Sequence, residues 1–167
     1  CELICNGDFE YITSTPTTDG QLANACGWVN AKTATTPDLF STAGVNNITD
    51  IPCNLSGSLS AAYNGSICAG FIAKTTIGPA NWFERFGTTL KSPMVINETY
   101  EISFYLALSS NSNKNTNNVA INIAGPSWYS FIAINTSTQT LQWTKYSIIY
   151  TSIAGGEDQF TIGAFAA

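Results

Sequence analysis

Histidine is absent from this chain of 167 residues. Because imidazole is the general base of Ser-His-Asp and Cys-His catalysis, its absence excludes both mechanisms. It also excludes every metal site that uses histidine as a ligand. An enzyme with this sequence would have to use paired carboxylates, or a serine, threonine or cysteine activated by an unusual base.

Charge is also scarce. Charged residues make up 10% of the chain, against roughly 25% in ordinary soluble domains, so solubility depends on the many Asn, Ser and Thr side chains. A net charge of −5 with six basic residues argues against nucleic acid and against anionic membrane surfaces, which need clustered basic groups. No apolar run approaches the roughly 18 residues of a membrane-spanning helix, so no transmembrane segment is predicted.

Five cysteines are present, and no two of them form a C-x-x-C pair: Cys1, Cys5, Cys26, Cys53 and Cys68. That spacing argues against zinc and thioredoxin-type sites. In a chain rich in Thr, Asn and Gly it predicts disulfides formed in an oxidising compartment, outside the cell or at its surface. We expect at least one bridge among Cys5, Cys26, Cys53 and Cys68, because the loop-rich segment before Ala69 would otherwise be costly to order.

Cys1 has three alternative interpretations. A cysteine at position 1 is what remains when a bacterial lipoprotein is cleaved, in which case residues 1–2 are a lipidated anchor or tether. The other four cysteines could then form two bridges. Alternatively the numbering starts at an arbitrary boundary, or Cys1 pairs and another cysteine is free. In each case residues 1–167 are predicted to form one domain.

The strongest structural signal is strict alternation of apolar and polar residues from Thr99 to Leu108. It predicts a strand with one buried face, formed by Tyr100, Ile102, Phe104 and Leu106. Other predicted strands are 119–123, 146–150 and 160–164, with weaker signals at 3–9, 69–73 and 82–90. Polar turn clusters separate them, and no segment keeps helical spacing. We therefore predict an all-β, antiparallel, two-sheet sandwich of about eight to ten strands.

Several motifs occur in a characteristic order: LICNGDFE at 3–10, CGW at 26–28, TPDLF at 36–40 and LKSPMVINETYEISFY at 90–105. In this order, over about 3–165, the chain resembles the galactose-binding-like jelly-roll domains of surface and secreted proteins of Bacteroidota. These domains are related to carbohydrate-binding modules. The resemblance implies a jelly roll that acts as a non-catalytic extracellular carbohydrate-binding or adhesion module, whose partner is a glycan or cell-surface polymer.

The resemblance also implies a structural calcium ion. In such modules a glutamate after the opening aromatic residue binds Ca²⁺ together with a carboxylate on the last strand. Glu10 matches the first position, and Asp8 could face the same way on a strand. The chain departs from the pattern because it ends at Ala167, before an Asp-rich final strand. The alternative is that both acids lie in a turn and face water.

Sugar binding would use aromatic side chains, because the apolar faces of pyranose rings stack on Trp and Tyr while polar groups bind the hydroxyls. The candidate ligand-binding residues are Trp128, Tyr129, Trp82 and Arg85. The alternative for each aromatic residue is burial in the core, and for Trp28 and Trp143 burial is favoured.

Two other functions remain open. The chain stops where the closing strand of a jelly roll should begin, so a first strand at 3–9 would have an open edge. A neighbouring copy could pair with that edge, making the protein a structural subunit of a surface filament or layer that self-associates. A glycoside hydrolase using Glu84 and Glu101 is disfavoured, because nothing in the spacing holds two carboxyls at a defined separation. We expect the protein not to be an enzyme.

Overall fold

The computed structural model describes residues 2–54, 57–73, 83–112, 119–125, 129–134, 136 and 140–164. Within them the chain forms eleven strands and one short 3₁₀ helix, Leu22–Asn24. The strands are β1 (Trp28–Asn30), β2 (Asp38–Ser41), β3 (Cys53–Asn54), β4 (Gly57–Ser58), β5 (Ile67–Gly70), β6 (Arg85–Thr89), β7 (Thr99–Leu106), β8 (Val119–Ala124), β9 (Tyr129–Ile134), β10 (Thr144–Thr151) and β11 (Gln159–Ala164). No helix among the described residues is long and apolar enough to cross a membrane.

The largest unit is a five-stranded antiparallel sheet in the order β1-β6-β11-β8-β9. Within it, β8 and β11 bury large apolar residues at alternate positions, each at most 8% exposed: Val119, Ile121, Ile123, Phe160 and Ile162. The small Ala120, on the other face of β8, is also buried. The large apolar residues follow the period-two pattern of the sequence, because a strand with one buried face must place every second side chain in the core. The predicted strands at 119–123 and 160–164 are confirmed.

The second unit is an antiparallel ribbon of β7 and β10, in which Ile102 pairs with Ile148 and Phe104 with Tyr146. Ile102 is buried, whereas Glu101 and Ser103 are exposed. Around Ile102, the other inward residues pack on the same core cluster as the five-stranded sheet: Tyr100, Phe104, Leu106, Tyr146 and Ile148. The predicted register of β7 is therefore confirmed, and so is the predicted strand at 146–150.

Two further ribbons are shorter. β2 pairs with β5, and β3 pairs with β4, both antiparallel. Phe40 of β2 and Cys68 of β5 belong to a second, smaller cluster of buried residues, which also includes residues outside the strands: Ile51, Leu59 and Ala62. The all-β, antiparallel prediction is confirmed. Among the described strands, however, β2–β5 and β7–β10 are separate ribbons that do not join into one second sheet.

The predicted strand at 3–9 is wrong, because this segment is a turn. Asn6 and Phe9 have left-handed φ values of 55° and 65°, which no strand accommodates. The Asn6 side chain stabilises the turn: its Oδ1 accepts the Tyr11 N–H at 2.9 Å and its Nδ2 donates to the Tyr11 carbonyl at 2.9 Å. Asparagine tolerates both this φ and this local bonding better than most residues.

Two other predicted strands have different limits. The strand predicted at 69–73 is β5, which ends at Gly70 because Ile72 bonds elsewhere: its N–H donates to Glu84 Oε2 and its carbonyl accepts the Glu84 N–H, both at 2.9 Å. The strand predicted at 82–90 is β6, Arg85–Thr89, within the described part of that segment.

Candidate functional site

The solvent side of the β7–β10 ribbon carries a polar strip. Glu101 and Ser147 lie on this face, where the Ser147 hydroxyl donates to Glu101 Oε1 at 2.6 Å. Lys145 Nζ lies 3.9 Å from the same carboxylate oxygen. Both ends of this ion pair are at least half exposed, with side-chain exposures of 50% and 58%. The strip thus offers hydrogen-bond donors and acceptors to solvent.

Tyr105 lies next to this strip, opposite Lys145 in the ribbon, and Tyr63 stacks on its ring. The two ring centroids are 3.4 Å apart and the planes differ by 16°. A side-chain hydrogen bond with Tyr105 raises the pKa of the Tyr63 hydroxyl. Tyr63 is 51% exposed, so one ring face meets Tyr105 while the ring still presents a large apolar area to solvent.

Trp143 completes what we call the aromatic surface, defined by Tyr63, Tyr105 and Trp143. Its ring centroid is 6.3 Å from that of Tyr63, at an interplanar angle of 70°. It packs against the smaller core cluster but is only partly buried, whereas Trp28 is 4% exposed. Burial was expected for both, and the structure shows it for Trp28.

The loop that carries Tyr63 is anchored on both sides. Before it, Leu59 and Ala62 are buried in the smaller cluster, and the Trp143 indole N–H donates to the Ala61 carbonyl at 2.9 Å. After it, Glu10 Oε1 accepts the N–H groups of Ser66 and Ile67 at 2.7 and 2.8 Å. Tyr63 is therefore presented by a loop that the scaffold orders without a ligand.

Between these anchors, Gly65 has a left-handed φ of +69°, and a Cβ at this position would overlap the Glu10 carboxylate. Glycine is the residue that permits both the φ and the approach of the carboxylate. Gly65 and Glu10, which are far apart in the sequence, therefore depend on each other in the structure.

A cavity with a volume of about 1280 Å³, which we call the groove, borders the aromatic surface and reaches inward to core residues such as Trp28 and Phe86. Residues of β5 and the segment after it line one part, including Phe71 and Ile72, and residues of β7 line another, including Tyr105. Asn64 and Asn111 also line it.

Most of the residues predicted to bind sugar cannot be compared with this site. Trp82 and Trp128 lie outside the described residues, as does the side chain of Tyr129, whose backbone begins β9. Arg85 begins β6 in the five-stranded sheet, with its guanidinium carbon 5.7 Å from the centre of the Phe83 ring. The structure thus places Arg85 in a different sheet from the aromatic surface.

Sequence reasoning missed Tyr63 and Tyr105. Tyr105 had a usable signal, because it is the aromatic residue on the polar side of the alternating β7 pattern. Tyr63 lies in a loop, and no periodicity links it to a residue on a strand.

The two acids predicted to bind calcium lie in the turn that precedes the loops described above. Glu10 Oε1 accepts two backbone N–H groups, and the exposed Asp8 accepts the Glu10 N–H through Oδ1 at 3.4 Å. Among the described residues no group of three or more Cys, Asp and Glu side chains is arranged to hold a metal ion. The calcium ion stays a prediction.

Two buried carboxylates connect chain segments instead. Glu84 is 1% exposed, and its two oxygens accept the N–H groups of Thr36 at 2.8 Å and Ile72 at 2.9 Å. Asp38 Oδ1 accepts the Gly20 N–H at 2.7 Å. Burial, with a smaller contribution from the Glu84 charge, raises the pKa of Asp38 to about 6. These two side chains accept hydrogen bonds from backbone N–H groups that lie outside the strands.

Glu84 and Glu101, the two acids considered for hydrolysis, lie in unlike environments. Glu101 lines the groove from the exposed face of β7, whereas buried Glu84 bonds to backbone amides of its own chain.

No bridge joins two of the four described cysteines in this structure, so the predicted disulfide stays a prediction, and the four differ in exposure. Cys5 and Cys53 are exposed, Cys26 is half-buried and Cys68 is buried. Burial, and then the charge of Glu10, raises the pKa of the Cys68 thiol to about 12. Cys1 lies outside the described residues.

No protein-family model matches the chain, and no curated protein matches it at a significant level. The functional interpretation therefore depends on the geometry of the aromatic surface and its surroundings.

Proposed function

We propose that the protein is a non-catalytic carbohydrate-binding or adhesion module that acts outside the cell or at its surface. The observation that carries this proposal is the exposed aromatic surface, with Tyr63 stacked on Tyr105 and Trp143 at its side. The apolar C–H face of a pyranose ring can stack on an exposed aromatic ring. Tyr63 is the residue best placed for this contact.

The polar strip supplies the second requirement of sugar recognition. Hydroxyl groups of a sugar both donate and accept hydrogen bonds, so a binding surface needs acceptors such as Glu101 and donors such as Lys145. Both groups lie on the same face of the ribbon as Tyr105. Their exposure keeps them solvated without a ligand, so exchanging water for sugar hydroxyls costs little.

Order in the free protein favours binding as well. The anchors at Leu59, Ala62 and Glu10 hold the loop that presents Tyr63. Because the loop does not have to be ordered by the ligand, less binding free energy is lost to conformational entropy.

We also propose that the fold is a two-sheet jelly-roll sandwich. The β7–β10 ribbon and the five-stranded sheet contribute to one core cluster, as the two layers of a sandwich do. On this interpretation the aromatic surface lies on the outer face of the second layer.

A glycan array followed by calorimetry tests the binding function. Tyr63→Ala should weaken the affinity for the best array ligand by about tenfold, as expected for loss of one stacking contact worth roughly 1–1.5 kcal/mol. Tyr11→Ala is the matched control, because Tyr11 is also an exposed tyrosine, at 72%, but does not belong to the aromatic surface. Equal affinities of the two variants would contradict the proposal, and Trp128→Ala tests the residue predicted from sequence.

A second candidate is a structural subunit that assembles through sheet edges. It is favoured by one observation: among the described strands β7 pairs with β10 on one side alone, and the groove lies beside β7. The unpaired N–H and C=O groups of such an edge can pair with a strand from a second copy. Light scattering and native mass spectrometry over a range of concentrations decide this, since a protein that stays monomeric is not such a subunit. Oligomers that persist in Tyr63→Ala would separate assembly from sugar binding.

A further inference from the structure

Cys5 and Cys26 line the same shallow pocket, although they come from the opening turn and from the residue pair before β1. The other lining residues include Asn6 and Tyr11. No other two of the described cysteines line this pocket. The pocket therefore brings together two thiols that the sequence separates.

Hydrogen bonds hold both thiol-bearing segments in place. The Asn6 Nδ2 group donates to the Cys26 carbonyl at 3.0 Å, and the Cys26 N–H donates to the Tyr11 carbonyl at 2.9 Å. The Trp28 indole N–H donates to the Asn6 carbonyl at 2.8 Å. Asn6, the neighbour of Cys5, and Cys26 itself therefore belong to one hydrogen-bonded network.

This network sets the distance between the two backbones. One asparagine side chain and one hydrogen bond separate the residue after Cys5 from Cys26. A disulfide needs Cα atoms roughly 4.4–6.8 Å apart, so its formation requires the opening turn and Cys26 to come within this range. The hydrogen bonds hold the two segments beside each other before the bridge closes.

We propose that Cys5 and Cys26 form a disulfide that joins the opening turn to the start of β1. The oxidant is an external disulfide, either an oxidised dithiol protein or glutathione disulfide. One thiolate attacks it, giving a mixed disulfide and releasing one thiolate of the oxidant. The second thiolate then attacks the mixed disulfide at the cysteine sulfur and releases the other. Two electrons pass to the oxidant, and the two protons pass to solvent or to its thiolates.

The remaining described cysteines differ from this pair. Cys68 is buried among apolar side chains of the smaller cluster. Its thiol is therefore not accessible to an external disulfide that acts as oxidant. Cys53 is exposed on β3 and does not line the pocket of Cys5 and Cys26.

Peptide mapping tests the pairing. The protein is produced in an oxidising compartment, its free thiols are alkylated, and it is digested in urea by a protease that cuts after Asp and Glu. Cleavage leaves Cys5 in 3–8 and Cys26 in 20–38, so the bridge predicts one species that joins these peptides and separates on reduction. Alkylation of both thiols, or linkage of either peptide to Cys1 or to another cysteine, would overturn the proposal.

Stability measurements supply an independent readout. Cys5→Ser and Cys26→Ser should each lower the Tm by roughly 5–15 °C, and the double variant should lower it no further, because one bridge is lost in all three. Additive losses, or single variants that melt like the wild type, would contradict a bridge. Cys53→Ser is the control, and it must retain the linked species of peptides 3–8 and 20–38.

Discussion

Trp28 and Trp143 both donate an indole N–H to a loop carbonyl, at 2.8 Å to Asn6 and at 2.9 Å to Ala61. They differ in what surrounds the ring. Trp28 lies in the core with Phe9 and Phe86, at centroid distances of 4.8 and 5.4 Å. Trp143 borders the exposed Tyr63. The same bond thus attaches a loop to the scaffold in both places, and burial decides whether the ring stabilises the fold or forms a surface for a ligand.

The chain around each tryptophan differs in the same way. In the part of the chain before β6, which includes Trp28, the carboxylates of Glu10, Asp38 and Glu84 accept backbone N–H groups, and the strands are short. Near Trp143 the eight-residue strands β7 and β10 form a continuous ladder. Single side chains should therefore matter more for stability in the first region than in the second.

The largest effect should come from Trp28→Ala. Removing a buried indole leaves a cavity, and we expect a loss of about 3–5 kcal/mol in the free energy of unfolding. Trp143→Ala, the matched change at the partly exposed site, should cost less than about 1.5 kcal/mol. Urea denaturation followed by circular dichroism measures both, and equal losses would break the comparison between the two regions.

The next effect concerns the charge of Asp38. Its pKa is raised from 3.8 to about 6 by burial, so the folded state binds more protons than the unfolded state between these values. Stability should therefore fall as pH rises through this window, and the whole loss is present above pH 6.

Asp38→Asn removes the charge and keeps an oxygen that can accept the Gly20 N–H. Relative to the wild type, its stability should be greater at pH 8 than at pH 3.5 by roughly 2–3 kcal/mol. Urea denaturation at the two pH values measures the difference, and a constant offset between wild type and variant would show that Asp38 does not titrate as described.

The smallest effect should come from Glu10. Glu10→Ala leaves the N–H groups of Ser66 and Ile67 without their acceptor, at a cost of about 1–2 kcal/mol. Glu10→Gln retains an acceptor oxygen and should lose much less. Thermal and urea denaturation compare the two variants, and similar losses in both would mean that the carboxylate charge, rather than the hydrogen bonds, stabilises the loop.

The sequence predicted the ladder-rich region better than the other. In β7, β8, β10 and β11 the large apolar residues of each strand lie on one face, so alternation along a few residues reveals both the strand and its orientation. At 3–9 apolar residues also recur, but the left-handed backbone at Asn6 and Phe9 ends any strand there. The Asn6 side-chain bonds to Tyr11 that favour this turn leave no periodic signal in the sequence.

The candidate site was less predictable for the same reason. Its central feature is a contact between Tyr63 in a loop and Tyr105 on a strand, and such a pairing depends on tertiary structure. The role of Glu10 was likewise not visible, because its partners Ser66 and Ile67 lie far along the chain.

Because of the contact between Glu10 and Gly65, we expect substitutions at these two positions to depend on each other. A side chain at position 65 would meet the carboxylate and would also have to adopt a left-handed backbone, so substitution there is constrained while Glu10 remains. If a descendant sequence replaced Glu10 with a small residue, the steric part of that constraint would disappear while the backbone part persisted. Positions 10 and 65 should therefore co-vary, and glycine should be lost at 65 mainly in lineages that have already changed residue 10.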